Sequence, residues 1–376
     1  MASEENKIRD LEVELAKTPS NKGTQHHRGL LKAKIAALKD TGERKASGTG
    51  AALGGYAVRK SGDASVALVG FPSVGKSTLL NKITNAVSEV GGYDFTTLDV
   101  IPGMMEYEGA KIQILDIPGI IEGAAEGKGR GREILSVVNN SDLVVIMTDV
   151  FRIRHIGIIK KELYNGRVRL NKTRPDVSID KTSRGGVVVN TSVKLTKITN
   201  RTVRSVLNGH RIMNANVIIR TDIDDDELTD VILKNRKYVS MIVIVNKTDY
   251  LDPEKLKEIH RKLSGEDVIF ISADKDINLE EVKRKIYDKL SFIKIYTKPV
   301  GKPIDMEEPL IMKRNCTVGD VCDKLHNTFR KRFRHSRIFG KSAKFDGQRK
   351  SIDHVLMDGD AVELHVFAGL NRTKKE

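Results

Sequence analysis

Short apolar runs and stretches with helical spacing take turns along this chain. Ala64–Val69, Lys111–Leu115, Leu143–Asp149, Met241–Val245 and Val268–Ile271 are dense in Val, Ile and Leu, the pattern of strands covered on both faces. Lys76–Ala86, Gly131–Asn139 and 152–164 have helical spacing. This order predicts a doubly wound α/β domain around a mainly parallel sheet. The domain opens near residue 63, breaks off after residue 150 and resumes at residue 241. The intervening segment, roughly 165–237, mixes β-like runs (Gly186–Val189, Val217–Ile219) with helix-like runs (Thr199–Leu207, Asp226–Lys234). It reads as an inserted α+β subdomain.

The ends follow other patterns. Ile8, Leu11 and Leu15 share one helical face, as do Leu31, Ile35 and Leu38, and Thr18-Pro19-Ser20-Asn21 breaks the run between them. A helical hairpin is expected over residues 4–39. Its second helix carries Lys32, Lys34 and Lys39, which suit either RNA contact or packing onto a neighbouring domain, packing being the commoner fate. Residues 41–62 are rich in Gly and Ser and read as a flexible connection. Beyond residue 291, Ile293, Ile295 and Pro309-Leu310-Ile311 suggest a hairpin, Val318, Val321, Cys322 and Leu325 a helix, and Val362, Leu364 and Val366 a closing strand. Together they predict a small β-grasp module. The expected domains are 1–45, 46–62 as linker, 63–290 and 291–368.

The strongest chemical signal is Gly70-Phe71-Pro72-Ser73-Val74-Gly75-Lys76-Ser77-Thr78, which fits the phosphate-cradling template G-x-x-x-x-G-K-[ST]. It lies between a predicted strand and a predicted helix, the context the motif needs. Gly70 and Gly75 let the backbone curl so that N–H groups converge, and the positive end of the next helix faces the same point. Lys76 can lie along the β- and γ-phosphates, and the Ser77 hydroxyl can ligate Mg²⁺.

Asn246-Lys247-Thr248-Asp249 closes another apolar run. A carboxylate there can accept two charge-assisted hydrogen bonds from guanine N1–H and the exocyclic amine. Adenine has no such donor pair and would leave Asp249 desolvated and unpaired. Lys247 can lay its stem over the base, and Asn246 can tie this loop to the phosphate loop. A weaker third signal is Ser272-Ala273-Asp274, where the Ala273 N–H can meet the guanine oxygen. Between these motifs, Asp116-Ile117-Pro118-Gly119 ends a strand. Asp116 would hold Mg²⁺ through a water, and the Gly119 N–H would touch the γ-phosphate. Phe95-Thr96-Thr97 follows Gly91-Gly92; one threonine should close over Mg²⁺, Thr97 by preference. The segments Phe95 to Asp99 and Ile120 to Gly131 have the composition of parts that order with the γ-phosphate.

These motifs together resemble the Obg class of GTPases, most closely the developmentally regulated GTP-binding (DRG) family. The likeness extends to His26–Lys39, Gly48–Gly62 and Ile293–Phe367, nearly the whole chain. It implies a P-loop GTPase fold, an insert similar to ribosomal-protein S5 domain 2, and a C-terminal TGS domain. It further implies GTP and GDP as ligands, Mg²⁺ as cofactor, and a role in translation through rRNA, tRNA or the ribosome. Related eukaryotic proteins work with a dedicated companion protein. The chain departs from many relatives in lacking a long run of consecutive glycines in its linker. Ile120 stands where Ras-like enzymes carry the glutamine that orients the attacking water, so intrinsic hydrolysis should be slow. Relatives without the glutamine often use K⁺, commonly held by an asparagine at the position of Ser73. Serine is a poorer ligand, and faster hydrolysis in K⁺ than in Na⁺ is the hypothesis.

Composition narrows the setting. The 376 residues suffice for about two to four domains. No apolar run is long enough to cross a bilayer and no secretory segment follows Met1, so a cytoplasmic protein without membrane partners is expected. The only cysteines, Cys316 and Cys322, fall in a probable helix and read as core residues. The net charge of +15 is uneven: 152–220 carries +13 and 313–350 carries +9. Concentrated basic regions suit a polyanion, though they also suit a plain solvated surface. Arg330, Lys331, Arg332, Arg334 and Arg337, interleaved with Phe329 and Phe333, are the leading RNA-contact candidates. The phenylalanines could equally stack on bases or fill the module's core. The acidic group Asp222, Asp224, Asp225, Asp226 and Glu227 reads as a helix start before it reads as a metal site.

The function expected is a slow GTPase switch associated with ribosomes or RNA. Its rivals are an ATP-using P-loop enzyme and an RNA-binding scaffold in which the nucleotide is structural.

Overall fold

The computed structural model describes residues 2–19, 21, 23–46, 60–84, 101–117 and 131–367. Most of the expected linker lies outside them, as do Phe95, Thr96, Thr97, Pro118, Gly119 and Ile120. In chain order the helices are α1 (Ala2–Lys17), α2 (Gln25–Ala46), α3 (Lys76–Ile83), α4 (Gly131–Asn140), α5 (His155–Asn165), α6 (Asn200–Gly209), α7 (Asp225–Leu233), α8 (Pro253–Lys262), α9 (Leu279–Leu290), α10 (Val318–Leu325) and α11 (Asn327–Lys331). The strands are β1 (Ala64–Val69), β2 (Ile101–Tyr107), β3 (Ala110–Asp116), β4 (Leu143–Asp149), β5 (Val168–Leu170), β6 (Val177–Lys181), β7 (Val187–Thr191), β8 (Ala215–Ile219), β9 (Lys237–Asn246), β10 (Val268–Phe270), β11 (Phe292–Thr297), β12 (Asp305–Lys313), β13 (Phe333–Phe339), β14 (Gln348–Lys350) and β15 (Ala361–Val366).

The chain packs as two compact units, one of residues 1–56 and 167–238, the other of 57–166 and 239–376. In the second unit the main sheet runs β10-β9-β4-β1-β3-β2. Every pair along it is parallel except β2 with β3. Its central strands β1 and β4 are buried on both faces because successive residues all find cover: Val66 and Leu68 join α3 and α9 in one core, while Ala67 and Val69 are buried as well. β1 lies between β3 and β4, so the chain winds one way from β1 and then the other. The carboxyl ends of strands at such a switch point form a natural ligand crevice.

The same unit carries the β-grasp module, whose sheet runs β12-β11-β15-β13-β14 with α10 against its core. Thr317 and Asp320 form a reciprocal capping box that starts α10. Cys322 lies on this helix and Cys316 just before it, both buried; burial pushes the Cys316 thiol up to about 11. Lys313 and Lys60 both pair with Asp142, and Lys324 pairs with Asp63. These bonds and Ile311, which joins the main core, seat the module on the α/β domain.

In the first unit β6-β8-β7 forms a small sheet backed by α6 and α7. The helical hairpin belongs to this unit. An added Cβ at Gly29 would lie 3.2 Å from Val206, and one at Gly209 would lie 2.9 Å from the Ala33 side chain, so the glycines allow α2 and α6 to pack closely. Lys32 lies 3.0 Å from Asp225 and 3.1 Å from Asp226. Burial works against its charge, yet the two carboxylates outweigh burial and raise its pKa. Asp224 and Glu227 form the capping box of α7. Asp224 to Glu227 are thus a helix start clasped by a lysine of the hairpin, while Asp222 accepts the Thr196 N–H at 2.9 Å.

Candidate nucleotide site

The loop between β1 and α3 is built by its glycines and held from outside. Gly75 sits at φ 96°, just before α3, where an L side chain is strained. Asn246, at the end of β9, donates from Nδ2 to the Val74 carbonyl at 2.9 Å. Its Oδ1 accepts the Ala273 N–H at 3.0 Å. One buried carboxamide therefore joins the phosphate loop to the segment after β10. Lys247, in the left-handed region at φ 65°, reaches the Ser73 carbonyl with its ammonium at 2.9 Å. The Thr248 N–H and hydroxyl both donate to the Ile271 carbonyl, at 3.1 and 2.9 Å. Asp249 follows, exposed on a single 3-10 turn (Thr248–Tyr250). Ser272 is buried, and its hydroxyl accepts the Lys275 N–H at 3.3 Å.

Lys76, nearly buried, donates to the carbonyls of Gly70 and Phe71 at 3.1 and 3.3 Å. Burial lowers its pKa, and the Asp116 carboxylate opposes that shift. The Phe71 ring lies 4.2 Å, centroid to centroid, from the His155 ring. Pro72 lies in the same loop and Thr78 in the first turn of α3. Ile117, just after β3, donates its N–H to the Leu68 carbonyl at 3.1 Å. That bond fixes Asp116 beside the loop.

The donor set suits Mg²⁺. The Ser77 hydroxyl donates to Asp116 Oδ2 at 2.8 Å. The other oxygen, Asp116 Oδ1, is buried with no hydrogen-bond partner among the described residues, a costly condition for a carboxylate. Hydroxyl and carboxylate oxygens beside a phosphate cradle are what this hard cation takes.

Asp149 escaped the sequence reading. It ends β4 directly opposite Asn246 and is buried, with Oδ2 3.8 Å from the Lys247 ammonium and Oδ1 accepting the Phe151 N–H at 3.1 Å. The available signal was its place at the end of an apolar run, the same kind of place that marks Asp116.

The basic stretch of the β-grasp module resolves into α11, which carries Arg330 and Lys331, then Arg332, and β13, which carries Arg334 and Arg337. Phe329 and Phe333 both pack against the module's core, so neither is the exposed stacking ring considered above.

Three family models match the chain. One described as 50S ribosome-binding GTPase covers residues 65–179, one for the C-terminal region of that domain covers 184–292, and one for the TGS domain covers 293–366. A GTP-binding protein of Methanocaldococcus jannaschii is 53% identical over 362 residues, spanning 96% of this chain and 92% of that one. Ribosome-interacting GTPase 1 of Saccharomyces cerevisiae is 40% identical over 370 residues, spanning 97% and 99%. Developmentally-regulated GTP-binding protein 1 of Xenopus laevis is 40% identical over 361 residues, spanning 95% and 98%. With such identity along nearly its full length, and with this loop geometry on a doubly wound sheet, the chain belongs to the developmentally regulated GTP-binding protein family of P-loop GTPases.

Proposed function

We propose that the chain binds GTP with Mg²⁺, hydrolyses it slowly to GDP and phosphate, and acts in the cytoplasm as a ribosome- or RNA-associated switch in translation. The observation that carries the nucleotide reading is the Asn246 bridge between the Val74 carbonyl and the Ala273 N–H. It couples the loop suited to phosphate to the loop suited to guanine. Backbone N–H groups of the loop and the Lys76 ammonium would offset charge that develops on the phosphates. Ser77, and Asp116 through a water, would hold Mg²⁺, which would supply fixed positive charge beside the phosphates. Thr97 and Gly119 complete this reading from outside the described residues. K⁺ as a second cation belongs to the same proposal.

The ribosomal reading rests on the name of the yeast relative and on the +9 concentrated in 313–350. rRNA, tRNA and a companion protein are the partners proposed. No helix among the described residues is long and apolar enough to cross a membrane.

Crosslinking of the full chain to ribosomes and total RNA in GDP and in a non-hydrolysable GTP analogue tests switch and partner together. Recovery should differ between the two nucleotides. Phosphate release should be measurable, should stop on chelation of Mg²⁺, and should rise with ribosomes. Hydrolysis undetectable with or without ribosomes, alongside identical crosslinks in both nucleotides, would favour the scaffold instead.

A further inference from the structure

Among the described residues the outer face of the β-grasp sheet carries more cations than carboxylates: Lys298 and Arg337 both pair with Glu363, and Arg349 stands opposite Arg337. Ser336, Ile338, Val362 and Leu364 turn inward, so alternation places His335, Arg337 and Phe339 on the other face with Ala361, Glu363 and His365. Arg337 stands directly opposite Arg349 of β14 in an antiparallel pair. Like charges directly opposite one another are destabilising. The carboxylate near them is Glu363, which is buried and already accepts from Lys298 and His365. It lies 3.9 Å from Arg337, beyond hydrogen-bond reach.

An aromatic ring stands farther along the same sheet, four residues beyond Glu363, which is opposite Arg337. Phe367, just past β15, is 59% exposed. Its N–H donates to the Arg332 carbonyl at 2.8 Å, and its carbonyl accepts from Arg332 Nε at 3.1 Å. The backbone is thereby tied at both polar groups. The Arg334 guanidinium lies 5.9 Å from the ring centroid. A large exposed ring beside the Arg334 guanidinium, on the same sheet as Arg337 and Arg349, matches the needs of an unpaired base and its phosphates.

We propose that the β13–β15 face is a single-stranded RNA-binding surface, with Phe367 as its base-stacking platform and Arg337 and Arg349 as its phosphate contacts. The proposal rests on the RNA reading above and assigns it to one face. An acidic peptide would use the arginines but has no base to cover Phe367, and duplex RNA keeps its bases stacked.

The test is fluorescence anisotropy of the full chain with a labelled single-stranded RNA, a duplex of the same sequence and poly-glutamate, over a salt series. Phe367→Ala should weaken single-strand binding about five- to 150-fold, the range for one stacked base, and leave the salt slope unchanged. Arg337→Ala and Arg349→Ala should each flatten that slope by about 0.7. Phe367→Tyr should bind like the parent, which separates lost stacking from lost folding, and GDP affinity should be unaltered throughout. If the parent does not bind single-stranded RNA at low salt, the RNA reading itself falls and this surface with it. If the parent binds while all three alanine variants match it, the RNA reading survives and the assignment to this face is wrong. Equal loss on duplex RNA for Phe367→Ala, or poly-glutamate competing as well as RNA, would overturn the stacking role.

Discussion

A β-carbon placed on Gly75 would lie 2.4 Å from the Asn246 amide nitrogen. The glycine is therefore required twice, by its left-handed backbone and by the carboxamide that must pass beside it. Gly75→Ala should displace Asn246 from the Val74 carbonyl and strand buried polar groups. A loss of about 2–4 kcal/mol is expected from strain and unpaired groups together. Chemical denaturation would measure it, and a variant as stable as the parent would refute the bridge as the joint between the two loops.

Asp249 tests base selection without much risk to the fold, because it is exposed on a short turn. Asp249→Asn should keep the parent's melting temperature. Its GDP affinity should fall about 100-fold as two charge-assisted bonds are lost, while ADP binding stays weak. Competition between GDP and ADP reads the outcome; unchanged preference for GDP would place guanine recognition elsewhere.

Asp149 should act through Lys247. Asn at this position keeps an acceptor for the Phe151 N–H but removes the charge 3.8 Å from the Lys247 ammonium. Asp149→Asn should raise the Kd for GDP by roughly three- to tenfold, as befits about 1 kcal/mol of lost positioning. Its kcat at saturating GTP should stay near the parent's. A fall in kcat with Kd intact would contradict a positioning role.

How far these residues could be read in advance depended on how local their signals were. The phosphate loop, Asp116 and Asn246 each follow a strand rich in apolar residues, so motif and element announced each other. β2 was hidden because it contains Pro102-Gly103, residues that argue against a strand. It is an edge strand, where proline is tolerated. A Cβ at Gly103 would lie 2.6 Å from Thr84 Cγ2 and 2.8 Å from Leu80 Cδ1, so the glycine lets α3 pack on the sheet. The predicted helix over Lys76–Ala86 is described only to Ile83, where the Thr84 hydroxyl turns back to the Leu80 carbonyl at 2.7 Å. The helix expected from residue 152 begins at His155. β13 was read as a basic cluster because arginines mask its alternation. The joining of the hairpin to the insert depends on Gly29, Gly209 and Lys32 meeting residues far away in sequence, which no local pattern encodes.

The seat of the β-grasp module should be pH-sensitive at its Asp142 anchor. Burial alone would raise the pKa of Asp142, but the Lys313 hydrogen bond, the Ser65 N–H and the Lys60 charge outweigh it and hold the pKa below the ordinary value of 3.8. A carboxylate with a depressed folded pKa stabilises fully above its unfolded pKa and loses that contribution as pH falls through the folded value. Asp142→Asn should therefore lower stability at pH 7 by about 1–3 kcal/mol. The gap between variant and parent should close below about pH 4. Melting curves at the two pH values decide it; a gap that persists in acid would mean the loss is packing and not charge.

Ser73 offers the test of K⁺. Its φ of 64° is left-handed, a region that asparagine adopts more readily than serine. Its contact with Lys247 uses only the backbone carbonyl, so a new side chain leaves that bond in place. Ser73→Asn should thus fold at least as well as the parent while adding a carbonyl oxygen at the edge of the phosphate loop, a better cation ligand than a hydroxyl. If a monovalent ion supplies charge beside the phosphates, the parent should hydrolyse GTP faster in K⁺ than in Na⁺, and the variant should widen that ratio. Equal rates in the two salts for both proteins would remove K⁺ from the mechanism and leave Lys76, Mg²⁺ and the loop N–H groups to offset the developing charge alone.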